Sequence, residues 1–103
     1  MTVTSLGLVT DTAGSATPLT ADKTIMACKI IFRARNANTG LVNIGKVGFT
    51  AGGAGMLGEV LKPSSGYSDQ MTLEHDTNAL VVADYAVKPA TNGEGVYVAY
   101  WQL

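Results

Sequence analysis

Short runs of β-branched and alternating apolar residues recur along this chain about every ten residues, separated by Gly, Pro, Asn and Asp. Apolar residues at the three- and four-residue spacing of an amphipathic helix are nearly absent. This spacing favours an all-β sandwich or barrel over alternating strands and helices. We therefore predict a single antiparallel β-sandwich, jelly-roll-like, with about six to eight strands and little or no helix.

The strongest strand signal is IMACKIIFRAR at 25–35, followed by the turn residues NANTG and a second run, LVNIGKVGF, at 41–49. This order predicts a β-hairpin over 25–49. Strand periodicity divides the first run into an inward and an outward set, with one apolar residue, Ile31, in the outward set. The inward set is Cys28, Ile30, Phe32 and Ala34, and the outward set is Lys29, Ile31, Arg33 and Arg35.

Further strands are predicted at 5–10, in a short extended piece ended by Pro63, and at 67–75, 78–87 and 96–103. Residues 1–24 are rich in small and polar residues, so we expect an extended N-terminal segment or arm there, with a possible edge strand near Leu19. Residues 25–103 form the predicted sandwich domain.

Gly53, Gly55 and Gly58 match G-x-G-x-x-G, the phosphate-binding fingerprint of dinucleotide-binding proteins. That motif works because a helix begins at the glycine turn and its N-terminal N–H groups hold the pyrophosphate. Here Pro63 follows too soon for such a helix, and Gly58 interrupts the intervening residues. We therefore predict a turn between strands and no bound nucleotide.

Residues that could carry catalysis are few. His75 is the single histidine, and its acidic neighbours Glu74 and Asp76 alternate with it along a predicted strand, so we expect a solvent-exposed strand end there. Cys28 is the single cysteine and falls on the apolar side of its strand, which favours a buried structural thiol over a nucleophile. We expect no enzymatic activity, no metal site and no cofactor.

The surface is predicted to carry little charge, because only 15% of residues are charged, against about 25% in a typical soluble domain. Such a surface suits a protein packed against others, although an ordinary β-domain with few charges remains the alternative. The net charge of −1 and the lack of a basic run argue against nucleic-acid binding. No apolar run approaches the ~20 residues that span a bilayer, and the N-terminus lacks the basic and long apolar parts of a signal peptide.

The last strand, VYVAYWQL, is apolar on both faces. Val96, Val98 and Tyr100 form one face, and Tyr97, Trp101 and Leu103 form the other. Either both faces are covered within the fold, or one of them meets a partner, since Tyr and Trp are enriched in interfaces. Arg33 and Arg35 share an outward face, either as a solvated pair or as contacts to acidic groups of a partner. The candidate interface residues are Arg33, Arg35, Tyr97, Trp101 and Leu103.

Three stretches in this order, KIIFRARNANTGLVNIGKVGF, GEVLKPSSGYSDQMTLEHDTNALVVAD and NGEGVYVAYWQL, resemble small structural proteins of tailed bacteriophages. The resemblance covers about residues 25–103 and consists of strand and turn spacing rather than a catalytic motif. The chain departs from it at LKPSSGYSD, where relatives often carry Pro-Gly-Glu.

The resemblance implies a capsid decoration (cement) protein that binds the major capsid protein on the outside of the head and stabilises it. It also implies a homo-oligomer, with a trimer favoured, made in the host cytoplasm and located on the virion. In that role the small, polar composition of residues 1–24 suggests an extended arm along the capsid or a neighbouring subunit. The competing hypothesis is a binding module of the tail or a head fibre that contacts host glycans. A shallow groove with clustered aromatics would favour glycans, and a flat apolar patch would favour assembly.

Overall fold

The computed structural model describes residues 1–13, 15–62, 66 and 68–103. In these residues the regular structure is almost entirely β, with one three-residue 3₁₀ turn at Val82–Asp84. The strands are β1 (Thr2–Thr10), β2 (Met26–Ala27), β3 (Lys29–Ala34), β4 (Val42–Lys46), β5 (Met56–Val60), β6 (Gln70–Glu74), β7 (Leu80–Val81), β8 (Tyr85–Pro89) and β9 (Gly95–Gln102). The predicted all-β class is confirmed.

The strands form two main antiparallel sheets and one small pair. The four-stranded sheet has the order β1-β9-β3-β6, the three-stranded sheet has the order β5-β4-β8, and β2 pairs with β7. Side chains from both main sheets meet in one hydrophobic core, which makes the fold sandwich-like. The largest contributions come from Ile30, Phe32, Val96 and Val98 in the four-stranded sheet and from Val42, Ile44, Val60 and Val87 in the three-stranded sheet.

The alternation predicted for the strongest strand signal is confirmed by β3. Ile30 and Phe32 are fully buried, opposite Tyr100 and Val98 of β9, and each contributes roughly 1.5–3 kcal/mol by leaving water. Arg33 is exposed on the other side of the strand. This period-two pattern fixes which face of the sheet lies in the core.

The predicted hairpin over 25–49 is wrong. β3 lies between β9 and β6, whereas β4 lies between β5 and β8, so the turn at 36–40 carries the chain from one sheet to the other. Asn38 is buried in this crossing, and its Nδ2 donates a hydrogen bond to the Gly95 carbonyl at 2.8 Å. Turn chemistry was a correct signal for the change of direction, but the partners of each strand are chosen by contacts distant in sequence.

The N-terminal segment also differs from expectation. Residues 2–10, expected partly within an arm, form β1 and pair with β9 from Thr2 opposite Gln102 to Thr10 opposite Gly95. β1 therefore lies in the same four-stranded sheet as strands from residues 25–103. The edge structure expected near Leu19 is present: Pro18 forms a bridge with Ala86, and the Leu19 N–H donates to the Tyr85 carbonyl at 2.9 Å.

The glycine motif lies in a turn between strands, as predicted. Residues 51–55 form turns and bends between β4 and β5, and Gly58 lies within β5, where the nucleotide-binding motif needs a helix. Cys28 is buried and His75 is exposed after the end of β6, both as predicted. Pro63 and Tyr67, expected at the end of one strand and the start of the next, lie outside the described residues.

Candidate protein-binding face

The outward side of the four-stranded sheet, which we call the open face, carries a regular grid of side chains. Each row takes one residue from each strand, because the registers of β1, β9, β3 and β6 align. The rows are Val3–Trp101–Lys29–Glu74, Ser5–Ala99–Ile31–Thr72 and Leu8–Tyr97–Arg33–Gln70.

None of the side chains in this grid is buried, although several are large and apolar. Val3 keeps 55% of its surface exposed, Tyr97 49% and Leu8 40%, while Trp101 and Ile31 are half-buried by their neighbours in the sheet. Exposed single apolar residues are ordinary, but a contiguous group rimmed by polar residues marks an interaction site. The second face of β9 is therefore left uncovered by the described chain.

A shallow hollow of about 410 Å³ lies at the centre of the open face. Tyr97 and Trp101 stand four residues apart on β9, about 13 Å along the strand, and the small side chain of Ala99 lies between them. Ser5 and Ile31 line the hollow from the flanking strands. Two aromatic side chains and a small residue thus form a concave apolar surface.

Cationic side chains border these aromatics. The Lys29 ammonium lies 5.3 Å from the centroid of the Trp101 ring, within the range of a cation–π contact. Arg33 Nη2 donates a hydrogen bond to Gln70 Oε1 at 3.3 Å. The rim of the open face is therefore polar, with positive charge from Lys29 and Arg33 and negative charge from Glu74.

A second hollow of about 550 Å³ adjoins the open face where β3 ends. Arg33 and Arg35 both line it, together with Asp69 and Tyr97, so the two arginines share one concave surface as their spacing predicts. Arg33 is exposed and Arg35 is half-buried. The carboxylate of Asp69 on the same surface makes this hollow mixed in charge rather than purely cationic.

The structure brings Arg33, Tyr97 and Trp101 together on the open face and leaves the other two candidate residues at its ends. Arg35 follows the last residue of β3. Leu103 is 65% exposed beyond β9, where its N–H donates to Asn78 Oδ1 at 2.9 Å and Asn78 Nδ2 donates to its carbonyl at 3.2 Å.

Sequence reasoning missed the contribution of β1 to this surface. Val3 and Leu8 flank Trp101 and Tyr97, but nothing in the sequence states that the first strand lies beside the last. A usable signal was present for Ile31, the apolar exception on the outward side of its strand, and this residue does line the central hollow.

The outward side of the three-stranded sheet, the covered face, is built differently. The turn after β4 folds Phe49 back over Gly45, and Phe49 is only 4% exposed. A Cβ on Gly45 would lie 2.7 Å from the Phe49 ring, so only glycine permits this approach. Lys88, which lies on β8, holds this turn in place because its Nζ donates a hydrogen bond to the Phe49 carbonyl at 3.3 Å.

One ionisable group ties the loops at an end of the sandwich. Partial burial would raise the pKa of Glu94, but hydrogen bonds from the N–H groups of Gly40 and Thr39 and from the Thr39 hydroxyl outweigh it, and Arg35 adds attraction. The pKa of Glu94 is therefore lowered. The carboxylate acts as a structural link between the crossing turn and the start of β9.

Among residues 1–13, 15–62, 66 and 68–103, no group of three or more His, Cys, Asp or Glu side chains is arranged to hold a metal ion. In the same part of the chain, no helix has the length and apolar character needed to cross a membrane. Comparisons with protein families, with curated proteins and with solved structures find no match to this chain.

Proposed function

We propose that this chain is a structural protein that binds another protein through its open face. The observation that carries the proposal is the uncovered Tyr97 and Trp101, set among Val3, Leu8 and Ile31 on a regular sheet. Aromatic residues on a rigid sheet lose little conformational entropy on binding, and they bury a large area. The polar rim, which carries both positive and negative side chains, supplies hydrogen bonds around that centre.

The resemblance over residues 25–103 supports a more specific form of the proposal: a decoration protein that binds the major capsid protein on the outside of a tailed-phage head. A weakly charged chain that presents one apolar sheet face fits a protein held permanently against a shell. Because such a protein binds only the assembled shell, each bound copy would raise the stability of the shell by mass action.

The first test counts this polypeptide in purified particles of the virus that encodes it, by quantitative mass spectrometry against the major capsid protein. A copy number comparable with that of the capsid protein is expected for a decoration protein. A few copies per particle would move the protein to the tail or a vertex. Absence from the particle would overturn the virion part of the proposal.

The second test assigns the binding surface by adding purified protein to heads that lack it. Tyr97→Ala and Trp101→Ala should each weaken binding about tenfold or more, because truncated aromatic anchors cost at least ~1.4 kcal/mol. Leu57→Ala is the matched control, since Leu57 is also exposed, at 44%, but belongs to the three-stranded sheet. An equal loss with Leu57→Ala would reject the open face as the binding surface.

The central hollow favours a second candidate function, the binding of a host-surface glycan. A sugar ring has an apolar face that fits a concave site with aromatic walls, and Arg33, Gln70 and Ser5 offer hydrogen-bonding groups there. Because Trp101 is the single tryptophan, its fluorescence reports binding in this hollow directly. Saturable quenching by a sugar, abolished when Ala99→Leu fills the hollow, would support this function. No response across a broad glycan set would reject it.

A further inference from the structure

The outer edge of β1 is long and has no neighbouring strand among the described residues. β1 runs for nine residues, about 30 Å, along a molecule whose longest dimension is 34 Å. Alternate backbone N–H and C=O groups of an edge strand point away from its single neighbour and are available to another strand. The opposite edge, β6, has only five residues and carries the charge of Glu74.

Most features that protect sheet edges from pairing are absent from β1. Its sequence, TVTSLGLVT, has no charged residue and no proline, and the strand is not short. One protective feature is present, a β-bulge between Ser5 and Gly7, where Gly7 has a φ of +72°. β1 also contains several Thr and Val residues, which favour the extended backbone.

The bulge gives β1 an unusual self-complementarity. Val3 and Leu8 are an odd number of residues apart, yet both lie on the open face, opposite Trp101 and Tyr97. If a second β1 runs antiparallel with Val3 of each copy opposite Leu8 of the other, side chains on the same face of the sheet meet on both sides of the bulge. At the bulge itself Ser5, on the open face, lies opposite Leu6, which packs toward the core. The bulges of the two copies then lie together at the two-fold axis.

We propose that the outer edge of β1 pairs with the same edge of a second copy of this chain, forming a two-fold dimer with one continuous eight-stranded sheet. The occupant is a second copy because the pairing matches faces on both sides of the bulge, brings no like charges together and covers the exposed Val3 and Leu8 in two symmetrical pairs.

The dimer goes beyond the proposed function and does not depend on it. Two open faces become continuous across the axis, so a partner would meet a surface twice as wide. A two-fold edge contact gives a dimer, which differs from the trimer that the phage resemblance implies. Mass measurement therefore separates the two oligomers, whatever the protein binds.

The first experiment measures the mass of the purified chain by light scattering after size exclusion, at a chain concentration of about 100 µM. Twice the chain mass of 10.7 kDa is expected. Val3→Lys and Leu8→Lys place a charge at the paired edge and should raise the dimer dissociation constant about tenfold or more. Thr72→Lys is the matched control on β6, at the other edge of the same face, and should leave the dimer unchanged.

The second experiment fixes the register by cross-linking. Val3→Cys and Leu8→Cys chains are mixed under reducing conditions and then oxidised. Opposite residues in antiparallel strands lie within disulfide range, whereas two copies of the same position would be about 16 Å apart in this register. Only the mixture should give a covalent dimer, and the wild type, whose Cys28 is buried, should give none.

A monomer at this concentration would overturn the proposal and leave the β1 edge to a strand of another protein. Three times the chain mass, or loss of the dimer with Thr72→Lys but not with Val3→Lys, would also overturn it. If the lysine variants unfold, the cysteine mixture still decides, since covalent dimers from single-variant samples and none from the mixture would reject the two-fold pairing.

Discussion

The two sheets of this molecule differ in whether the aromatic side chain on their outward side is covered. On the covered face, the turn after β4 lays Phe49 over Gly45 and leaves this residue 4% exposed. On the open face, Tyr97 is 49% exposed and Trp101 half-buried, and no loop among the described residues lies over them. The same short chain thus buries one outward aromatic and leaves two others accessible.

The difference supports the choice of the open face in the proposed function. Covering an aromatic requires a loop of suitable length and a glycine beneath the ring, and the β4–β5 connection supplies both. Tyr97, in contrast, keeps 49% of its surface exposed among the described residues. Apolar area that the chain leaves exposed to water stabilises the protein only when a partner buries it. This favours the open face as the proposed interaction surface.

The largest expected effect comes from removing the cover. Phe49→Ala should destabilise the protein by about 3 kcal/mol or more, because it leaves a cavity over Gly45 and exposes the sheet below. Urea unfolding of the purified variant measures the loss.

Tyr97→Ala is the matched variant on the open face and should cost less than about 1 kcal/mol, since half of that side chain is already in water. If Tyr97→Ala proved as destabilising as Phe49→Ala, the contrast between the two faces would fail.

A second substitution tests the close approach beneath Phe49. Gly45→Ala should cost about 1–3 kcal/mol, because its Cβ would lie 2.6 Å from the Gly55 carbonyl oxygen as well as against the ring. Gly53→Ala in the same connection is the control, since its Cβ meets only ordinary contacts at 3.4 Å from Thr50. Thermal unfolding of both variants should separate them by several degrees, and similar midpoints would show that the ring moves freely.

Only part of the contrast between the two faces could be predicted from the sequence. Period-two alternation correctly predicted the inward and outward sides of β3, since burial of Ile30 and Phe32 forces that pattern. It also predicted that Tyr97 and Trp101 share a face of β9 but left open whether that face was covered. Covering depends on loop placement, and Phe49 gives no local signal that it folds back over its own sheet.

Strand partners were the other part that sequence did not specify. The turn at 36–40 suggested a hairpin, but Asn38 and Glu94 fix it as a crossing between sheets through bonds to residues more than fifty positions away. In the same way, the pairing of β1 with β9 joins the two ends of the chain. Such choices follow from the total burial of the core rather than from any local run.

The crossing itself gives a pH-dependent prediction. The pKa of Glu94 is lowered in the folded protein, so its ionised form contributes stability at neutral pH, and that contribution is lost as the pH falls through the lowered pKa. Glu94→Gln should cost about 1 kcal/mol at pH 7, a modest value because solvent screens this partly exposed group.

The difference in free energy of unfolding between Glu94→Gln and the wild type should shrink as the pH falls below about 4. Urea unfolding at a series of pH values measures it. Asp11, whose pKa is also lowered, titrates in both proteins and therefore cancels from the comparison. If the difference in free energy of unfolding stays constant with pH, the charge of the Glu94 carboxylate does not account for the stability of this link.

The smallest expected effect concerns the lysine that borders Trp101. Lys29→Gln removes the cation–π contact and should cost about 0.5 kcal/mol, with a shift in the emission of the single tryptophan. A lysine over a ring is a cover that a partner can displace, because its side chain swings away at little cost, whereas Phe49 cannot leave Gly45 without opening a cavity. A cost for Lys29→Gln near that of Phe49→Ala would contradict this distinction and make the open face a second covered one.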